Sequence, residues 1–394
     1  MVNLSVKIAD IEFRNPIIIG AGTPTLDARN MIKCIKAGAS AVVTKTVTYS
    51  KIHQLQPRPR FHIIHPNAIL TNEYFSLYSV ELMAPYPPDR WVKELKIVKE
   101  VAKEEKAIII ASIAGETEEE WKKLAHMAEN AGADMIELNI SCPHVEPSEK
   151  ALMGKVAGSD PSAAKGLVKL VKECVSIPII AKLTPQGANP LAVAKAVVSA
   201  GADAVVATAR FQGVIIDIEE AKPILWGGTG GYGGPWMVPI SCNWVLKIAK
   251  EKIGVPIIGS GGITTYEDVI QFFMVGAQAV QICTAVIVKG YKVISEILSG
   301  LKMWLSKRGI EDINEIVGKA IDSVLPLEAL DRTTTYKSSV IIDKCTGCGL
   351  CAKSCFYDAI RIVNGKAQID VDKCDGCGLC ISICPQGALK LITL

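Results

Sequence analysis

The sequence predicts an α/β fold in two parts, a (β/α)8 TIM barrel followed by a small cysteine-rich domain. Three observations predict it. Eight short Val- and Ile-rich runs alternate with longer helical patterns between residues 17 and 285. Tight turns of the A-G-A or A-G-A-D kind, such as Ala37-Gly38-Ala39 and Ala131-Gly132-Ala133-Asp134, punctuate them. Two cysteine runs of identical spacing close the chain.

The eight runs are Ile17 to Gly22, Ala41 to Thr46, Ala107 to Gly115, Met135 to Ser141, Pro178 to Thr184, Ala204 to Arg210, Pro256 to Gly262 and Ala279 to Ala285. Each is continuously apolar, as parallel strands buried on both faces must be. Eight such units in about 300 residues point to a closed barrel. A doubly wound open sheet is the alternative, but it seldom runs eight regular units, and no G-x-G-x-x-G follows the first run. The connection from Val47 to about Arg90 is too long for a plain loop and falls after the second strand, on the functional rim of a barrel. The expected domains are a barrel over 1–308, a helical connector over 309–337 and the cysteine-rich domain over 338–394.

Composition sets the class. The 394 residues are 49% hydrophobic and 21% charged, enough to bury a large core. A net charge of +3 with no Lys/Arg-rich run gives no footprint for nucleic acid or an anionic membrane surface. The N-terminus lacks the basic start and apolar core of a secretory signal. The longest apolar stretch, Pro190 to Ala209, carries Lys195, Asp203 and an internal turn, so it reads as helix, turn and strand, not a membrane span. Thirteen cysteines, eight of them in the two terminal runs, fit metal ligation in a reducing cytoplasm better than disulfides.

The first run places Cys345, Cys348, Cys351 and Cys355 in C-x2-C-x2-C-x3-C spacing, and the second places Cys374, Cys377, Cys380 and Cys384 in the same spacing. Three thiolates on one loop can grip three irons of a cubane, while the fourth leaves on a helix and ligates the other cluster. One [4Fe-4S] cluster is therefore expected on Cys345, Cys348, Cys351 and Cys384, the other on Cys374, Cys377, Cys380 and Cys355. This is a bacterial-type 2[4Fe-4S] ferredoxin domain. Zinc is the alternative, but zinc sites pair their cysteines two and two. The proline expected after the fourth cysteine is present as Pro385 and replaced by Phe356 in the first run.

Reactive groups of barrel enzymes sit at the C-terminal ends of strands. The fourth run ends in E-L-N-I-S-C-P-H, with Asn139, Ser141 and Cys142 there and Pro143 behind them. Cys142 can donate or accept a proton; on spacing alone it reads equally well as a core or merely exposed cysteine. The second run ends at Lys45-Thr46 and the fifth at Lys182, two cations suited to an anionic flavin edge. The Gly261-Gly262 turn opens a helix, a natural phosphate seat and equally a plain tight turn.

Taken together these residues resemble the dihydroorotate and dihydropyrimidine dehydrogenase group. The likeness runs through N-P-I-I-I-G-A-G-T, V-T-K-T, I-A-S-I, L-N-I-S-C-P-H, A-K-L-T-P, G-S-G-G-I and the terminal cysteines, nearly the whole chain. The resemblance implies an FMN-containing barrel with Lys45, Thr46 and Lys182 at the flavin, Ala21, Gly22, Gly233 and Gly234 around it, and Gly261, Gly262, Thr284 and Ala285 at its phosphate. It implies Asn139 facing flavin and substrate, Glu81 as a substrate-pocket carboxylate, and Cys142 as the general acid or base opposite the hydride.

The chain also departs from the pyrimidine-reducing relatives. Their Asn-Thr pair after strand six is Ala209-Arg210 here, the asparagine before the pocket glutamate is Ser79, and their G-G-x-S-G turn is G-G-Y-G-G at Gly230 to Gly234. A pocket built for uracil loses about 1 to 3 kcal/mol for each buried polar group left unpaired, so an altered substrate is expected. Arg210 adds a fixed cation suited to a carboxylate or phosphate; pairing with Glu81 or with the FMN phosphate is the alternative. Trp226 and Trp236 flank the glycine-rich segment, where they either cover a flat ligand or pack under a loop. The segment from His144 to Asp160 is a candidate lid.

The expected activity is a flavin and iron-sulfur oxidoreductase passing electrons between two [4Fe-4S] clusters and FMN, and reducing or oxidising a C=C bond of a small unsaturated substrate. A separate NAD(P)H/FAD reductase subunit or a soluble ferredoxin is the expected electron partner, within a homo- or hetero-oligomer. An electron-relay subunit and a dihydroorotate dehydrogenase variant are the competing functions.

Overall fold

The computed structural model describes residues 2–71, 74–142, 153–187, 189–225 and 228–393, which divide into two compact units at Asp322 and Ser323. In the first, eight parallel strands close a barrel: β1 (Ile17–Ile19), β2 (Ala41–Val43), β3 (Ile108–Ile113), β4 (Met135–Asn139), β5 (Ile179–Lys182), β6 (Ala204–Val206), β7 (Ile257–Ser260) and β8 (Ala279–Ile282). Each pairs with its sequence neighbours, and β8 returns to β1 with Gln281 opposite Ile18. The strands coincide with the eight apolar runs but stop earlier. Residues such as Gly20, Thr46 and Gly261 leave the ladder and turn into the mouth of the barrel.

Helices cover the outside, among them α1 (Ala28–Lys36), α2 (Pro88–Glu104), α3 (Glu118–Asn130), α4 (Pro161–Lys172), α5 (Pro190–Ser199), α6 (Val238–Lys250), α7 (Tyr266–Met274) and α8 (Lys292–Lys307). Their starts are written in the sequence. Asp27, Thr117 and Thr265 each accept a hydrogen bond from the backbone N–H three residues on, and proline occupies the first turn of α2, α4, α5 and α6. The apolar stretch Pro190 to Ala209 is α5, a turn and β6, and no helix among the described residues is long and apolar enough to cross a membrane.

Two insertions build the rim. The long connection after β2 supplies strands Phe61–Ile64 and Ser76–Ser79; the connection after β6 supplies Phe211–Gly213 and Gly230–Gly233. They form one antiparallel sheet in which Tyr232 faces Tyr78 and Gly231 faces Ser79. The glycine run packs closely, and at Gly234 against backbone. A Cβ on Gly234 would stand 2.2 Å from the Phe75 carbonyl oxygen, and one on Gly231 2.6 Å from Arg210 Cζ.

The expected boundary at residue 308 and the helical connector over 309–337 are corrected. Residues 309–322 pack on the barrel: Ile313 and Ile316 are buried, Ile313 N–H donates to the Asn3 carbonyl at 3.0 Å, and Gly318 N–H to that of Phe273 at 2.8 Å. Between residues 309 and 337 stand only the short 3-10 turns Ile313–Ile316, in the first unit, and Leu327–Ala329, in the second, and no α-helix. The apolar residues of 309–322 do recur at helical spacing, but Gly318, at φ 75° in the left-handed region, breaks any helix through them.

The second unit has two antiparallel ladders, β9 (Tyr336–Val340) with β12 (Leu389–Thr393) and β10 (Ile360–Val363) with β11 (Lys366–Ile369). Each cysteine run lies between ladder strands on a loop that enters a one-turn helix through Gly349 or Gly378, both in the left-handed region.

Candidate active site and iron-sulfur centres

The main cavity lies at the C-terminal mouth of the barrel, with ≈ 1050 Å³ of empty volume counted to its open rim. Ala21, Lys45, Thr46, Glu81, Asn139 and Cys142 line one part of it. Lys182, Ala209, Arg210, Gly233, Gly234, Gly261, Gly262 and Thr284 line the rest of the set expected from the sequence. Residues from seven of the eight strand ends and from the rim sheet thus converge on one space.

Three of the expected residues do not line it. Gly22 packs on Cys283, whose sulfur would stand 2.4 Å from an added Cβ. Ser79 is fully buried behind the wall, where its hydroxyl accepts a hydrogen bond from Arg210 Nη1. Ala285 is fully buried inside the short helix Thr284–Lys289. Trp236 is likewise absent from the lining and packs against Phe211 and Tyr232 at 5.9 and 5.2 Å between ring centres. Trp226 and Pro143, and the candidate lid over 144–152, lie outside the described residues. The described remainder of that segment is packed: a Cβ on Gly158 would come within 2.0 Å of the Ile140 carbonyl oxygen.

Two polar clusters floor the cavity. In the first, Lys45 Nζ donates to Glu81 Oε1 at 2.8 Å and Thr23 Oγ1 to the same oxygen at 2.7 Å, with both charged side chains about 95% buried. Burial alone would raise the Glu81 carboxyl, but the charges of Lys45 and Arg210 and the two donated hydrogen bonds outweigh it and bring its pKa down to about 2. The alternative in which Arg210 is the ion-pair partner of Glu81 is not what forms; Lys45 takes that place, and among the described residues no carboxylate lies within ion-pair distance of Arg210.

In the second cluster, Lys182 Nζ donates to Gln281 Oε1 at 2.6 Å, Gln281 Nε2 to Glu137 Oε2 at 2.5 Å, and Lys182 sits 3.6 Å from Glu137 Oε1. Glu137 Oε1 has no hydrogen-bond partner although the residue is wholly buried. Sequence reasoning missed Glu137 and Gln281. Their signal was a polar residue inside an otherwise apolar parallel-strand run, M-I-E-L-N and A-V-Q-I. It also missed Cys283, a second thiol at the cavity, which burial first and the Glu81 charge second push up to about 11.

Between the clusters, Asn139 Nδ2 donates to Thr46 Oγ1 at 2.9 Å while its Oδ1 accepts from the Ser141 hydroxyl at 3.1 Å. Both amide ends are thereby fixed, which orients the β4 terminus that carries Cys142. The residues fit a flat anionic cofactor. The buried Lys45, the mostly buried Lys182 and a fixed amide face the same space as Gly261 and Gly262, whose φ values of 111° and 86° suit glycine alone. A Cβ on Gly262 would meet the Gly234 carbonyl oxygen at 2.7 Å, so glycine there lets the β7 turn pack against the end of the rim strand.

In the second unit the eight thiols divide between two cavities. Cys345, Cys348, Cys351 and Cys384 line one of ≈ 340 Å³, and Cys355, Cys374, Cys377 and Cys380 line the other of ≈ 330 Å³. The fourth cysteine of each run thus faces the other run's cavity. Among the described residues no three His, Cys, Asp or Glu side chains converge closely enough to hold a single metal ion. Four thiols around an enclosed volume suit a cubane and not zinc.

Comparison with known proteins agrees with this geometry. Residues 3–305 match the family model "Dihydroorotate dehydrogenase" and residues 328–391 the model "4Fe-4S dicluster domain". The chain is 31% identical over 364 residues to the NAD-dependent dihydropyrimidine dehydrogenase subunit PreA of Escherichia coli K12, covering 90% of this chain and 85% of that one. It is 34% identical over 322 residues to the dihydroorotate dehydrogenase B (NAD(+)) catalytic subunit of Thermococcus kodakarensis, covering 82% and 99%. The same catalytic subunit of Methanocaldococcus jannaschii matches at 34% over 317 residues, covering 80% and 98%. The chain belongs to the dihydroorotate dehydrogenase family, an oxidoreductase acting on CH–CH groups with FMN in its barrel and two [4Fe-4S] clusters in its C-terminal dicluster domain.

Proposed function

We propose that this chain interconverts a C=C and a CH–CH bond in a small planar substrate of the pyrimidine type that carries an acidic group, with Arg210 receiving the acid. The observation that carries this is Arg210 itself: it lines the cavity, has no carboxylate in ion-pair reach among the described residues, and stands where the pyrimidine-reducing relatives keep a neutral Asn-Thr pair. Its guanidinium is held by the Ser79 hydroxyl and crosses Gly231, so the cation is positioned in advance of substrate.

FMN, when bound, supplies the hydride donor or acceptor. Lys45, Thr46 and Lys182 would hold its ring, Gly233 and Gly234 would lie beside it, Gly261, Gly262 and Thr284 would hold its phosphate, and Asn139 would face flavin and substrate. The chain's own chemistry is then a proton transfer. Cys142 Sγ–H gives its proton to one carbon of the double bond in reduction, and the thiolate takes it back in oxidation. The Lys45–Glu81 pair keeps a carboxylate ionised at the pocket wall, which excludes acids from that side and leaves Arg210 as their landing point.

The sites of the two clusters are the two cavities described, and electrons reach them from a separate partner. The relatives are named as subunits, and by likeness this chain works with an NAD(P)H/FAD reductase subunit or a ferredoxin. A second function, electron relay, is favoured by one observation: the Ser79 hydroxyl is committed to Arg210 and is not offered to the cavity.

Anaerobic titration separates these. Reduced protein is mixed with orotate, uracil or thymine and FMN absorbance is followed. Reoxidation by the acid and not by the neutral bases is expected. Equal rates with uracil would remove Arg210 from recognition. Failure with every small acceptor, with fast exchange to a partner flavoprotein, would leave the relay.

A further inference from the structure

The cysteine domain is an internal duplication whose repeat breaks at one buried hydroxyl beside a ligand sulfur. Cys345 and Cys374, Gly347 and Gly376, Lys337 and Lys366, and Ser338 and Ala367 all stand 29 positions apart. Their contacts repeat as well. Lys337 Nζ donates to the Cys374 carbonyl at 2.5 Å and Lys366 Nζ to the Cys345 carbonyl at 2.6 Å. A Cβ on Gly347 would stand 2.2 Å from the Gly365 carbonyl oxygen, and one on Gly376 2.2 Å from that of Tyr336. Ser338 N–H reaches Cys374 Sγ at 3.4 Å and Ala367 N–H reaches Cys345 Sγ at 3.4 Å.

The side chains at this last pair break the repeat. Ser338 Oγ lies 3.1 Å from Cys380 Sγ and is almost wholly buried. Its counterpart Ala367 offers only a methyl group toward Cys351, the sulfur that corresponds to Cys380. Main-chain N–H groups reach other ligand sulfurs, Ala388 to Cys384 at 3.3 Å among them. Among the described residues the hydroxyl is a side-chain donor that one set of four thiols has and the other lacks.

We infer that Ser338 raises the reduction potential of the cluster on Cys355, Cys374, Cys377 and Cys380, and so makes the two clusters of a duplicated domain unequal. The inference rests on the cluster assignment proposed above. A ligating thiolate carries no proton, so the hydroxyl must be the donor. One-electron reduction adds negative charge that spreads onto the sulfurs, and a donated hydrogen bond stabilises the more negative form. Burial keeps water from substituting for it. Two unequal clusters give electrons a preferred resting place, and therefore a direction within the domain.

The test is an anaerobic redox titration of the full chain, read by electron paramagnetic resonance and visible absorbance, with iron counted in each sample. Ser338→Ala should lower one midpoint, on the order of tenfold in the reduction equilibrium or about 59 mV for one electron, and leave the other in place. Ala367→Ser should raise the midpoint that Ser338→Ala left unmoved, and it decides the matter alone if the first variant assembles poorly. Unchanged midpoints in both variants at full iron content would overturn the role of Ser338. Wild-type protein without the iron of two cubanes would overturn the cluster assignment itself.

Discussion

The barrel mouth and the cysteine domain hold their cofactors in opposite ways. The mouth is a layer of side chains on a core that is complete beneath it, running through Ile17, Val42, Ile110, Ile136, Ile180, Val205, Ile258 and Val280. The cysteine domain buries only Cys351, Ile360, Ala367, Cys380 and Leu389 as its core cluster, and two of those five are cluster ligands. In the first region a cofactor is added to a fold; in the second the cofactor is a large part of what folds. Removing it should therefore have unlike consequences.

The largest effect expected is loss of structure in one unit alone. Stripping iron from the protein should abolish amide-exchange protection over residues 336–393 while β1 to β8 keep theirs, since so small a core cannot offset the chain entropy of ordering it. Protection that persists in the iron-free domain would erase the contrast. Next, Cys142→Ala should lower turnover by about 10²- to 10⁴-fold with flavin absorbance and iron content unchanged, because a general acid is lost from a site whose frame stands elsewhere. Retained turnover would remove Cys142 from the mechanism.

Smaller, and confined to the barrel, is the Lys45–Glu81 pair. Lys45→Ala leaves a buried carboxylate without its cation and should cost about 3 to 5 kcal/mol in denaturant unfolding of the barrel. Lys45→Met combined with Glu81→Leu should recover most of that loss without restoring flavin. The same pair sets a pH window. Because the folded pKa of Glu81 is depressed from 4.5 to about 2, its contribution is complete above about pH 4.5 and is lost as pH falls toward about 2. Thermal unfolding of Glu81→Gln should lack that component, and identical acid profiles for the two proteins would remove the pair from it.

How much of this was legible in the sequence follows from the same contrast. The cluster ligands are local patterns, since three or fewer residues separate successive thiols within a run, and the crossed sharing follows from having two such runs. The eight barrel strands were legible because burial on both faces makes each run continuously apolar. The rim sheet was not. Its two central strands read G-G-Y-G and S-L-Y-S, with neither alternation nor β-branched residues, and pair segments about 150 positions apart. Ser79 looked like a substrate group because nothing local says that Arg210 takes its hydroxyl. Glu137 and Gln281 were hidden by the opposite fault: the runs were read as wholly apolar, and the polar residue in each was passed over.

The smallest effect distinguishes a positioned Arg210 from one merely nearby. Gly231 has ordinary extended backbone, so alanine there is free of conformational strain, but its Cβ would stand 2.6 Å from Arg210 Cζ. The guanidinium is the far end of a flexible side chain and can shift aside, so Gly231→Ala should change stability by less than about 1 kcal/mol. If that shift breaks the bond to Ser79, the cation no longer waits in one place, and KM for an acidic substrate should rise several-fold with kcat little changed. Steady-state kinetics on orotate against a neutral pyrimidine reads this directly. A rise shared equally by both would mean that Gly231 shapes the cavity as a whole, and an unchanged KM for the acid would mean that Arg210 needs no holding.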